Sequence, residues 1–546
     1  MRVAYAVQYS GVRPSPESPM RFASAAAVAL LLMACSDGGE SKSDGGGAAD
    51  ADGDADTDTD ADADTDTDTD TDADTDTDTD TDTDTDTDST TTDTAATAST
   101  GDSGDSGDSG MTGGAPKLLD VACLATDNAL RFTCTVSVAP PQPVELSYVR
   151  SDGLSVTRTV AGTDVATDHE LPLYFMAPQT DYDVVAWATD WPKTTASTTL
   201  TTDQPPSSVA SYLDVTGDSS ADLIGSYLPC SSDPAAVVYD MNTGDLVWYE
   251  LMLGSGNFGL NDMVTFTEDQ TVLGESSGSV VEVDLMGNDV VRFIDLDTAL
   301  GVNVTGPFGN FHHDIFKRNG LYYVIYQEEF GGGFNPPVLD NVIVFDDTGA
   351  EVAHWRAFDH LQLPGGWGGD FLHTNTVFVD EDGDIYLSWL SLNTVAKIDG
   401  DISGGSFGTP IWYLDGNGGT LGGVDLISVD WSQVGGDDFF TDQHSVLLRD
   451  DGKLQLLDNG NGRGLTMELD QVALTATVDG AHATGAGACG PQGTARSTAA
   501  GNAVVACTGG TISEYDGKGT VVWEGTAQCV GGGFNPGAGR WYPLDW

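Results

Sequence analysis

VVYDMNTGDLVWYE, residues 237–250, is the stretch on which the fold turns. An apolar run meets an aspartate, then a turn of Asn, Thr and Gly, then a second apolar run rich in aromatics. That is the pattern of an antiparallel hairpin, because Asx and Gly close the turn and the flanking runs suit a pleated, buried surface. The unit recurs as VVEVDLMGNDVVRFI (280–294), VIVFDDTGAEVAHWR (342–356), VAKIDGDISGGSFGTPIWYL (395–414), LQLLDNGNGRGLTMEL (454–469) and ISEYDGKGTVVWEG (512–525). The aligned aspartates are Asp240, Asp284, Asp346, Asp399, Asp458 and Asp516. A single hairpin cannot bury its own apolar face, whereas repeated sheets around an axis bury one another's. With six units and no sustained helical periodicity, the expectation is all-β: a six-bladed β-propeller over residues 204–546. Ahead of it, residues 116–203 carry short alternating runs split by Pro, Asp and Gly, which read as a small β-sandwich of Ig/FnIII type. Pro205-Pro206 marks the boundary.

Between the Asp-turn hairpins lie three others that open on histidine: FHHDIFKRNGLYYVIY from Phe311, HTNTVFVDEDGDIYLSWL from His373 and QHSVLLRDDGKLQLLDNGNGR from Gln443. In a propeller the first strand of each blade lines the axis, so equivalent strand starts converge. The axis would then collect His313, His373 and His444, with Asn261 and Arg496 from comparable strand starts. Imidazole is the side chain suited to both proton transfer and nucleophilic attack near neutral pH. Three imidazoles can also hold zinc, and that reading stands beside the catalytic one. His169, His354 and His360 have no matching motif and read as surface residues; His482, in AHATGAGACG, reads as a loop histidine. GGGFNP occurs twice, at Gly331 and Gly531, either as a repeated turn or as loops bringing Phe334 and Phe534 to an aromatic ligand.

The formal charge is −66, very unevenly spread. Residues 36–115 hold 26 Asp and one Glu against Lys42, largely as an alternating Asp-Thr tract without large apolar residues. Such a tract cannot bury a core and should be an extended, self-repelling linker. Residues 116–546 remain acidic, with 58 Asp plus Glu against 16 Lys plus Arg. That excludes nucleic acid as a partner, since phosphate binding needs a basic face. An anionic substrate would need a local cationic pocket set against the global field.

At the N-terminus Arg21 precedes AAAVALLLMAC, an apolar run too short for a stable spanning helix. Leu32-Met33-Ala34-Cys35 resembles the lipobox of bacterial lipoproteins, with Met20 as an alternative start. The resemblance implies a signal over residues 1–35, cleavage before Cys35, lipid on that cysteine and membrane attachment. Ser36 in place of aspartate points to the outer membrane, facing periplasm or cell surface. Six further cysteines fit an exported, disulfide-bonded protein. Cys123 and Cys134 flank a short turn and are expected to bridge adjacent strands; Cys230, Cys489, Cys507 and Cys529 leave three pairings open.

QHSVLLRDDGKLQLLDNGNGR, HHD at His312–Asp314 and HTNTVFVDEDGDIYLS together resemble the histidine motifs of the arylsulfate sulfotransferases, over roughly residues 220–546. The resemblance implies transfer of a sulfuryl group from an aryl sulfate to a phenol, without nucleotide donor, cofactor or metal. His444 would be the nucleophile; His313 and His373 would bind sulfuryl oxygens or move protons. One position departs: where the family carries an arginine, this chain has Leu390. Arg496 and Arg463 are the cations available to replace it, Arg463 also matching the arginine that ends the third motif. The alternative is a propeller without chemistry, acting as a binding or adhesion module. The resemblance leaves monomer and homodimer both open.

Overall fold

The computed structural model describes residues 118–228, 230, 235–251, 264–276, 279–292, 311–331, 336–417, 421–435, 438–530 and 540–546. The leader with Cys35, the Asp-Thr tract, Asn261, Phe334 and Phe534 lie outside the described residues. What is described is all-β. The helical content is one turn at Ala357–His360 and a 3-10 turn at Leu390–Leu392, and no described helix is long and apolar enough to cross a membrane.

The N-terminal strands Leu118–Ala125, Phe132–Arg150, Arg158–Leu173, Asp181–Ala188 and Trp191–Thr201 are hydrogen-bonded into one five-stranded sheet. Phe132–Arg150 alternates buried and half-exposed residues on either side of Pro140-Pro141, and a shared core of Val136, Leu146, Leu171 and Val184 fills the layer. Cys123 faces Cys134 across the first two strands and is bonded to it. His169 is buried here, its Nε2 2.9 Å from the Gln142 carbonyl oxygen, and is not the surface residue its loop-like setting implied.

Six antiparallel sheets follow. Their first strands are Trp541–Leu544, Val264–Phe266, Phe311–Arg318, Thr374–Val379, His444–Leu448 and Thr494–Ser497, continued outward by three more strands in the first five sheets and by four in the sixth. Each of these first strands neighbours the next, and the last returns to the first. Six apolar clusters lie between consecutive sheets, so middle strands such as Ala235–Asp240 and Thr394–Ile398 are buried on both faces. This arrangement is that of a β-propeller. A further strand, Asp425–Asp430, runs parallel to the outer strands of the fourth and fifth sheets and joins them.

The chain closes the ring by exchanging its ends. The C-terminal strand Trp541–Leu544 is the innermost of the first sheet, and Ser211–Gly217 is the outermost of the sixth. Cys230–Cys529, 299 residues apart in sequence, joins those same two sheets, and Cys489–Cys507 forms the third disulfide. Five of the six Asp-turn hairpins join the third and fourth strands of their sheets. The sixth does not: Asp458 lies between the second and third strands, and the outer turn there begins at Asp470. An aspartate accepting backbone N–H groups two to four residues on is a purely local signal, as at Asp240, Asp346 and Asp516. It does not encode which pair of strands it joins.

Candidate active site

Each histidine motif sits where its inner strand is bulged. The ladder to the second strand slips register between Phe311 and Ile315, between Thr374 and Thr376, and between His444 and Leu447. The inner ladders of the other three sheets run without a shift. The left-handed residues coincide with these places: φ is 60° at His313, 50° at His373 and 58° at Ser445. For non-glycine residues such backbone costs of order 1–3 kcal/mol each and persists only where surroundings enforce it. A bulge re-aims side chains at a strand end, and here it does so on three neighbouring strands.

Buried hydrogen bonds between sheets enforce the geometry. Asp314, the acid of HHD, accepts the Val377 N–H at 3.0 Å; Asp340 accepts the Thr374 N–H at 2.5 Å; the Thr376 hydroxyl accepts the Ser445 N–H at 3.1 Å. Asn375 donates to the Gln443 carbonyl at 2.8 Å. The fully buried Gln443 amide in turn donates to Ser388 Oγ and to the carbonyls of Trp389 and Thr394, each at 3.1 Å. The glutamine preceding His444 is therefore a fastening to the fourth sheet.

His444 is 2% exposed. Its Nδ1 lies 3.0 Å from the Asp442 carbonyl and 3.2 Å from Asn459 Oδ1, both acceptors, so Nδ1 carries the proton. Nε2 keeps its lone pair, to which the Gln492 backbone N–H donates at 3.2 Å. Burial, and then the charge of Arg540, hold its pKa down to about 3, so the imidazole is neutral across the physiological range. The loop carrying Gln492 is fastened by Asn459, which donates to the Gly490 and Gln492 carbonyls, and by the Cys489–Cys507 disulfide.

His313 and His373 meet directly, with Nε2 atoms 3.0 Å apart and ring centroids at 4.8 Å. His373 Nδ1 donates to Asp370 Oδ2 at 2.6 Å. Leu390 is tied to His373 through the backbone, its N–H donating to the His373 carbonyl at 3.1 Å. Its side chain offers no charge there.

Arg496 comes from the sixth inner strand, half-buried, with its guanidinium 4.9 Å from the Tyr542 ring and within electrostatic reach of Asp314 and Arg540. Arg463 is held within its own sheet, donating to Asp458 at 2.9 Å and to the Phe439 carbonyl at 2.8 Å, with Trp431 against it. That fixes the DNGNGR turn and brings none of its charge to the histidines through these contacts. Arg540 is the cation that sequence reading missed. Only 4% exposed, it donates to Asp314 at 2.5 Å, to the Asn375 carbonyl at 2.6 Å and to the His313 carbonyl at 3.5 Å. Burial opposes its charge, but Asp314 and Tyr542 outweigh burial and leave its pKa raised. Its signal lay in recognising the terminal WYPL as an inner strand, which only ring closure reveals. Asp370 and Asn459 stood within or beside quoted motifs without any spacing that marked them.

The remaining histidines are elsewhere. His354 packs against Tyr326 with its pKa lowered by burial, and His360 stacks on Trp355. Both are half-buried, contrary to the surface reading, because Tyr326 from another strand of the sheet packs against His354 and Trp355, five residues earlier in the chain, packs against His360. His482 is in the strand Thr475–Ala483 and lies 4.8 Å from the Tyr515 ring, so it is not a loop residue. Among the described residues, no group of three or more His, Cys, Asp or Glu is arranged to hold a metal ion.

The Arylsulfotransferase (ASST) family model matches residues 164–478, more than half of the chain. No protein of curated function matches it. Among solved structures, a protein from Lactobacillus plantarum is 13% identical with a TM-score of 0.33, covering 74% of this chain and 100% of its own. A Bacteroides caccae protein of unknown function is 11% identical with a TM-score of 0.35, covering 60% and 100%. A catalytically inactive variant of virginiamycin B lyase from Staphylococcus aureus, with quinupristin, is 9% identical with a TM-score of 0.31, covering 59% and 100%. Likeness at this level bears on nothing in the site.

Proposed function

The chain belongs to the arylsulfotransferase family, and from that premise we propose that it moves a sulfuryl group from an aryl sulfate to a phenol through a sulfohistidine on His444. The observation that carries this is the neutral, buried His444 with its lone pair on Nε2, set beside the His313–His373 pair. Nε2 gives up the Gln492 N–H and attacks sulfur, the N–S bond forms, and the S–O bond to the aryl group breaks with its electrons on the phenolic oxygen. The His313–His373 pair supplies that oxygen with a proton. An acceptor phenol then loses its proton to the pair and attacks sulfur, returning the electrons to Nε2. Negative charge spreads over the sulfuryl oxygens, so fixed donors and cations around them lower the barrier. Arg496 and the Gln492 N–H, which faces the same lone pair, are the groups that meet them. The reading includes a lipid anchor at Cys35 on the outer membrane, with the acidic tract as its tether; palmitate labelling that persists in Cys35→Ser would remove the anchor.

A second reading has one observation in its favour. Leu390, bonded through its backbone N–H to the His373 carbonyl, stands where the resemblance implies a cation, so the propeller would bind without transferring. The deciding experiment is 4-nitrophenol release from 4-nitrophenyl sulfate by the full chain, with and without phenol, beside His444→Ala. Release that requires the acceptor and disappears in the variant supports transfer. Folded protein that releases nothing from several aryl sulfates supports the binding module.

A further inference from the structure

Two imidazoles whose Nε2 atoms lie 3.0 Å apart cannot both present a hydrogen, nor both a lone pair. One proton fits between them. Which end of His373 faces that gap is set by Asp370, whose Oδ2 takes the Nδ1–H at 2.6 Å. Asp370 is itself placed: Gln327 Nε2 donates to its Oδ1 at 3.4 Å, and Ser391 Oγ donates to its carbonyl at 3.0 Å. It is thus a carboxylate bonded directly to one of the three convergent imidazoles. The His373 and Asp370 side chains are 28% and 34% exposed, whereas His444 is 2% exposed. The proton-bearing groups are thus more open to an incoming molecule than the buried imidazole.

We propose that Asp370, His373 and His313 form one proton-holding unit, in which Asp370 positions the shared proton for delivery to the departing phenoxide. The proposal rests on the transfer reading above and goes beyond it by naming the residue that governs leaving-group protonation. In the first half-reaction the shared proton passes to the oxygen whose S–O bond has just broken. In the second, the acceptor's O–H proton returns to the gap as its oxygen attacks sulfur, so each cycle ends with the protons where they began. The charged groups that face the unit are consistent with this assignment. Arg540, reaching the His313 carbonyl from the C-terminal strand, is neutralised by Asp314, and His444 is uncharged. Asp370 is an anion in direct contact with His373, placed to balance a proton on the pair.

The test uses the full chain with a series of substituted phenyl sulfates, from 4-nitrophenyl to unsubstituted phenyl, comparing wild type with Asp370→Asn and Asp370→Glu. Asparagine can still accept the Nδ1–H but brings no charge. The expected result is a kcat/KM loss of about a hundredfold on phenyl sulfate, with 4-nitrophenyl sulfate, whose phenoxide needs little help, falling far less. The alkaline limb of the pH profile should move to lower pH, and glutamate should restore part of the loss. A loss equal across the series with an unmoved limb would reduce Asp370 to a structural role and overturn the proposal. Proton NMR of the same samples gives a readout independent of turnover: a strongly downfield Nδ1–H resonance of His373 that shifts upfield in Asp370→Asn. Its absence from wild type also overturns the proposal. A wild-type chain inert to every donor ends the transfer reading, and with it the catalytic role of Asp370. The resonance would then still establish or refute the proton-holding unit itself.

Discussion

At the scale of single residues, the chemistry depends on what burial does to charge. His444 keeps a pKa of about 3, against an ordinary 6.5, because burial and Arg540 both disfavour its protonated form. Between those two values the unfolded chain binds a proton on His444 that the folded chain refuses, so stability falls as pH drops through this window and is unaffected above it. His444→Gln should therefore gain stability relative to wild type as pH goes from 7 to 4, read as the difference in urea midpoints at the two pH values. An unchanged difference would mean that the imidazole is hydrated and titrates normally. Arg540 shows the complementary case. Paired with Asp314 and almost fully enclosed, it cannot be removed without leaving a buried carboxylate alone. Arg540→Ala should cost about 3–5 kcal/mol, and the double variant with Asp314→Asn should recover part of that in the same urea assay.

Elements carry a second regularity: a tryptophan in the fourth strand of a sheet fastens that sheet to the next. Trp248 Nε1 donates to the Leu285 carbonyl at 2.9 Å, Trp355 to Gly408 at 3.0 Å, Trp412 to Gln471 Oε1 at 3.2 Å and Trp523 to the Met241 carbonyl at 2.7 Å. Each acceptor lies in the outer turn of the following sheet, and Trp523 closes the sixth sheet onto the first. The sequence displayed these tryptophans as part of the repeat but not their partners, which are 37 to 282 residues away. Trp355→Phe keeps most of the packing and deletes the bond, so it should cost about 1–2 kcal/mol, measured by chemical denaturation. A neutral result would show that packing alone holds the sheets. The bulges follow the same logic. The repeated hairpins opening on histidine located these strands, but the slipped register and the left-handed His313 and His373 depend on Asp314, Asp340 and Gln443 reaching across from neighbouring sheets.

For the whole molecule, the charge of −66 sets a field that any sulfate ester must enter against. Raising ionic strength from about 0.01 M to 0.15 M shortens the screening length from about 30 Å to about 8 Å. The KM for an anionic donor should therefore fall as salt rises. A KM that rises instead would show that local cations such as Arg496 and Arg540 already dominate the approach. The two ends of the ring are secured twice, by exchange of terminal strands and by Cys230–Cys529.

The sequence by itself determined the all-β class, the hairpin repeat, the acidic tract and three histidines on equivalent inner strands. Those features are local, because turn chemistry, period-two burial and repetition act within a few tens of residues. Only the tertiary structure decided that the Asp458 turn joins different strands, that His169 is buried and that Arg463 serves its own turn. It alone brought Arg540 and Asp370 to the histidines. Closure of the ring places residues 226 positions apart, Asp314 and Arg540, in one buried ion pair. No spacing rule carries such a contact, since it exists only once six sheets have packed around an axis.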